Sequence, residues 1–73
     1  MNVSYNNLWK LLIDKGMKKK DLRKVTGIST ASMAKLGKNE HVTMEILVRI
    51  CEALNCDISD IMEIKDMKEN ENA

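Results

Sequence analysis

Residues 21–38 read DLRKVTGISTASMAKLGK. One glycine, Gly27, separates two short runs whose apolar residues recur three apart, Leu22 and Val25 before it, Met33 and Leu36 after it. That spacing predicts two brief helices over about 18–26 and 29–36, each turning its apolar residues toward a core. Gly27 ends the first because a Cβ would penalise a left-handed backbone there. Ile28 follows as an apolar anchor, and Ser29 is suited to cap the second helix by accepting an orphan backbone N–H. Two short helices joined so abruptly have the layout of a helix-turn-helix.

The flanking sequence supplies the support such a pair needs. Residues 4–15 read as a first helix, with Ser4 as N-cap, Tyr5, Leu8, Leu11 and Leu12 on one face, and Gly16 as its stop. Met17 is expected to plug the connection. Trp9 and Ile13 flank that helix, and they suit either the shoulder of the core or a dimer surface. Gly37 is expected to close the third helix, and KNEHV to form a polar loop. Thr43 caps a fourth helix over about 43–55, whose Ile46, Leu47, Ile50, Cys51 and Leu54 make a broad apolar stripe that stops at Asn55. Asp57 or Ser59 opens a short fifth helix holding Ile58, Ile61 and Met62. Val48, Ile64 and Met67 lie outside the stripes and suit either the cover of that last helix or a dimer seam. No alternating run is strong enough to predict a strand, so the fold class expected is all-α with five helices. One domain over residues 1–64 and a polar, frayed tail over 65–73 complete the organisation.

Composition narrows the function. Seventy-three residues are one small domain, and such domains bury only about 60% of their unfolded surface. No apolar run reaches the roughly 20 residues that cross a bilayer, and MNVSYNN lacks the basic start and apolar centre of a secretory leader. A cytoplasmic protein with no membrane partner is expected. Cys51 and Cys56 read as reduced core residues rather than a disulfide framework. A zinc site needs about four ligands and only His41 is left to help the cysteines, so no metal and no cofactor is expected. One histidine, no nucleophile–base spacing and no phosphate-binding loop argue against an enzyme.

The net charge of +1 conceals a division. Residues 10–38 carry nine basic and two acidic groups; the remainder carries three basic and nine acidic ones. A basic first half points to a polyanion on one face. The outward side of the third helix would present Thr30, Ala31, Ser32 and Lys35, with Ala34 beside them. All but the lysine are short, which lets a helix backbone come close to base edges in a groove of duplex DNA. Lys18, Lys19 and Lys20 suit phosphate contact or a solvated helix start. Asp14 and Asp21 balance neighbouring lysines.

The text LWKLLIDKGMKKKDLRKVTGISTASMAKLGKNEHVTMEILVRICEALNCDISDIM, residues 8–62, resembles the Cro-like, phage-repressor type of helix-turn-helix regulator, the XRE group. The resemblance rests on a first helix ending in glycine, an acidic–leucine pair in the second, the TGIS turn, and an LxxICEAL-like helix. It implies a compact five-helix, lambda-repressor-like DNA-binding domain. It also implies that Thr30, Ala31, Ser32 and Lys35 read bases, while Lys18, Lys19, Arg23, Ser29, Lys38 and Asn39 hold the sugar-phosphate backbone. Lys19 stands where the family often has a glutamine. Arg23 stands where the family commonly has alanine, so it either alters the angle between helices or itself reaches a phosphate. Gly37 stands where the family has a larger residue. The expected function is sequence-specific double-stranded DNA binding by a small transcriptional regulator, a repressor acting as a homodimer. The alternative is an antitoxin-like module whose acidic tail folds on a protein partner.

Overall fold

The computed structural model describes residues 2–65. Four α-helices follow in order: α1 (Asn6–Asp14), α2 (Lys19–Thr26), α3 (Thr30–Gly37) and α4 (Met44–Leu54). A single 3-10 turn, Ile58–Asp60, stands where a fifth helix was expected. Two short strands, β1 (Asn2–Ser4) and β2 (Glu63–Lys65), bracket the helices and pair antiparallel, Val3 opposite Ile64. The all-α, five-helix expectation is therefore corrected to four helices and a small two-stranded ribbon. The strands escaped a local reading because each is only three residues long and its partner lies some sixty residues away.

The same pairing reassigns Ser4. It is a buried strand residue two positions before α1, yet its Oγ still accepts the N–H of Asn6, the first residue of that helix, at 3.3 Å. Tyr5 occupies the cap position, with no side-chain cap bond. Lys65, expected to open the polar tail, belongs to β2. The rest of that tail, with Met67, lies outside the described residues.

Ten apolar side chains form the core: Tyr5, Leu8 and Leu12 from the α1 region, Leu22, Ile28 and Leu36 from the α2–turn–α3 unit, Leu47, Ile50 and Leu54 from α4, and Ile61. Trp9, Leu11, Met17, Met33, Ile46 and Cys51 pack around them half-buried. Ile13 does not join; it is 76% exposed. Val25 was expected to face inward and is 55% exposed. On an eight-residue helix that buries Leu22 alone, a residue three positions on is rotated about 60° off the apolar centre. It lies at the margin beside Thr26, Arg49, Glu52 and Ala53.

The ends of the helices follow local chemistry. Gly27 has φ +71° and donates its N–H to the Arg23 carbonyl at 2.9 Å. Asn55 ends α4 with φ +54°. The next N–H, of Cys56, bonds the Cys51 carbonyl at 3.0 Å, a Schellman arrangement in which the side chains of those two residues meet. Burial pushes the Cys51 thiol up from 9.0 to about 11, helped by the Cys56 thiol and by Asp57 and Asp60. Gly37 does not close α3 as expected. It is the last helical residue, and the left-handed position is Asn39, φ +57°.

The loop after α3 is fastened to α1 by the buried Tyr5. Its backbone N–H donates to Asn39 Oδ1 at 3.0 Å, and its hydroxyl donates to the Glu40 carbonyl at 2.7 Å. An aromatic body in the core with a satisfied polar tip holds the loop at a fixed place relative to α3. Burial raises the Tyr5 phenol above its ordinary value, opposed by a backbone hydrogen bond from Val42.

Candidate nucleic-acid interface

The α2–turn–α3 unit is held by a few specific bonds. Asp21, in the first turn of α2, accepts the Lys18 N–H on Oδ2 at 2.9 Å, the reciprocal half of a helix-start box. Its carboxylate thus serves the helix end rather than merely balancing the lysines. Thr26 Oγ1 donates to the Leu22 carbonyl at 2.7 Å and accepts the Ile28 N–H at 3.4 Å. One hydroxyl therefore bridges the bend at Gly27, while buried Leu22, Ile28 and Leu36 fix the angle between the helices.

Ser29 caps α3: its Oγ accepts the Ser32 N–H at 3.1 Å and donates to Ser32 Oγ at 3.2 Å. Of the residues expected to read bases, Thr30, Ala31 and Lys35 are exposed and Ser32 is half-buried, its hydroxyl engaged with Ser29. Met33 turns toward the core and Ala34 is exposed. The α3 surface is thus an exposed face of small side chains with one lysine.

Exposed cations lie on the segments before and after it. Lys18, Lys19, Lys20, Arg23, Lys24, Lys35 and Lys38 are all exposed. An open groove between α2 and α3 is lined by Lys19, Lys20, Arg23, Thr30, Met33 and Ala34. A second depression is bordered by Lys20, Asp21, Arg23, Lys24, Gly27 and Ile28, so Lys20 and Arg23 border both.

Three expected backbone-binding residues have partners that composition does not disclose. Lys19 lies over the Trp9 ring, 4.6 Å from its centroid, a cation–π contact that lays the lysine along α1 and places Trp9 at the shoulder of the core. Asn39 uses its side-chain oxygen to hold Tyr5. Arg23 donates from Nη1 to Thr30 Oγ1 at 3.1 Å, linking α2 to the first residue of α3. The sequence signal for that contact was the arginine itself, at a position where the resembling family prefers alanine.

Among the described residues no group of three or more His, Cys, Asp or Glu side chains converges as a metal site, and no helix is long and apolar enough to cross a membrane.

The family model of the Cro/C1-type HTH DNA-binding domain matches residues 7–67. The crystal structure of the transcriptional regulator VanUg superposes with a TM-score of 0.83 at 60% sequence identity, over 85% of this chain and 83% of that one. No curated protein matches. With its helix-turn-helix, its basic face and a family match over most of its length, the chain belongs to the Cro/C1-type HTH DNA-binding domain family, and it is a DNA-binding regulator of the XRE kind.

Proposed function

We propose that this regulator recognises a specific duplex sequence by laying α3 in the major groove, and that it represses transcription from the site it occupies. The observation that carries the reading is the combination on one face of exposed, short Thr30, Ala31 and Ala34 with Lys35, beside the exposed cations Lys19, Lys20 and Arg23. Short residues let the helix backbone approach base edges. Lys18, Lys19, Arg23 and Lys38, with the backbone at Ser29 and the loop at Asn39, hold the register on phosphates, and Thr30, Ala31, Ser32 and Lys35 read the bases.

A single module of this size binds weakly, so the working species is a homodimer on a near-palindromic site with half-sites about one helical turn apart. Exposed Ile13 and Ile64, apolar and away from α3 in sequence, support a self-association surface.

The test is selection of duplexes from a random pool by the full chain, followed by titration of Lys35→Ala and Lys38→Glu. Lys35→Ala should lower affinity for the selected duplex by about tenfold and leave mixed-sequence duplex little changed. Lys38→Glu should weaken both about equally and flatten the salt dependence. A pool that returns no enriched sequence would overturn the reading.

A further inference from the structure

The Arg23–Thr30 hydrogen bond has a consequence for which bases α3 can read. A threonine hydroxyl owns one proton and two acceptor lone pairs, so by itself it accepts from a base amine or donates to a base acceptor with equal ease. Here the guanidinium of Arg23 donates to Oγ1 at 3.1 Å. That bond occupies one lone pair and turns the hydroxyl proton away from Arg23. The adjacent positive charge also polarises the O–H toward donation and repels any further N–H that approaches the oxygen. Thr30 is the first residue of α3 and is exposed, so this one-way hydroxyl stands at the end of the helix that leads into a groove.

In the major groove the acceptors are N7 of either purine, O6 of guanine and O4 of thymine; cytosine offers only its N4 amine there. Resting on the DNA reading above, we infer that Arg23 is a specificity-determining positioning residue. By donating to Thr30 Oγ1 it sets α3 to favour a base with acceptors at that position, guanine foremost with two adjacent ones, and to reject cytosine. Arg23 does this from α2. Arg23 is exposed and borders two cation-lined depressions, which leaves the rest of its guanidinium open to a phosphate.

The experiment uses the full chain, duplexes enriched by the wild type from a random pool, and a mixed-sequence duplex as reference. Thr30→Val identifies the base pair read by Thr30, as the one where discrimination is lost. Arg23→Ala is then expected to lose discrimination at that same pair by about fivefold or more, while its affinity for mixed-sequence duplex falls only about two- to threefold. In the double variant the losses at that pair should not add. Replacing the guanine there by 7-deazaguanine, which removes N7, should weaken the wild type and leave Thr30→Val unaffected. Both side chains are exposed, and circular dichroism checks that each variant keeps its helices. If Arg23→Ala leaves discrimination at that pair intact, or the two losses simply add, Arg23 is only a phosphate contact and the inference falls while the DNA reading stands. If the wild type enriches no sequence, both fall together.

Discussion

Helices α2 and α4 end in the same way and serve opposite purposes. Both stop at a left-handed residue, Gly27 and Asn55, whose N–H returns to the carbonyl four residues back. After Gly27 the chain restarts as a helix within three residues, among exposed lysines. After Asn55 it makes a single 3-10 turn capped by Asp57 and Asp60, with Asp57 N–H held by Asp60 Oδ2 at 2.9 Å. α4 buries Leu47, Ile50 and Leu54, whereas α3 buries Leu36 alone. The lesson is a division of labour: α4 anchors the domain, and α3 is a displayed element held by buried Leu36, half-buried Met33, one cap and a link to Arg23.

The heaviest blow to that comparison is Ile50→Ala. Ile50 is fully buried, and truncation of such a side chain costs about 3 kcal/mol. In a domain this small that is a large share of the total stability, so urea unfolding should show a much earlier midpoint, and DNA binding should vanish with the fold. Lys35→Ala makes the opposite case: an unchanged unfolding midpoint with lost affinity. If both variants lost binding and stability together, anchor and display would not be separate.

The glycines on either side of α3 sharpen the contrast at smaller scale. A Cβ built on Gly27 or on Gly37 meets nothing within 4 Å, so crowding is absent at both. Gly27 has φ +71° and Gly37 is helical without a left-handed backbone. Gly27→Ala should therefore cost about 1 kcal/mol through backbone strain. Gly37→Ala should stabilise α3 by about 0.5 kcal/mol through helix propensity. Thermal melts of the two variants should move in opposite directions.

The smallest effect concerns the end of α4. The Cys51 thiol stands near 11 in the folded chain against 9.0 ordinarily, chiefly through burial. The unfolded chain thus ionises first as pH rises. The stabilising contribution is complete below about pH 9 and is lost as pH climbs through 11. Melting temperatures between pH 8 and pH 11 should decline, and Cys51→Ala should make the decline shallower. The remaining slope belongs in part to Tyr5 and Cys56, both raised mainly by burial and therefore of the same sign. A slope unchanged by Cys51→Ala would detach the thiol from the anchor.

Much of this division is legible before any coordinates, for a definable reason. Caps at Ser29 and Thr43 and left-handed stops at Gly16, Gly27 and Asn55 depend on bonds within a few residues, so residue type at a position decides them. The helical phase likewise identifies Thr30, Ala31 and Lys35 as an outward face. What a linear reading misses depends on distant partners. Ser4 reaches the start of α1 as its type suggests, but its place in a strand opposite Glu63 depends on a residue far along the chain. Asn39 looks like a free loop amide until Tyr5 claims its oxygen. Val25 shares a spacing with Leu22, yet the width of the buried stripe is set by where α4 crosses. Thr30 and Arg23 are individually visible as candidates, but their bond follows from the interhelical angle.

The ribbon at the base of the molecule bears on how the chain assembles. Pairing Asn2 with Lys65 joins residues from the two extremes of the described chain, so it closes the longest segment and bears the largest closure entropy. Its second strand is exposed throughout, with Ile64 61% uncovered, while β1 carries buried Ser4. β2 should therefore be the first element to open. Its amides should exchange with solvent through a partial opening in which the four helices remain intact.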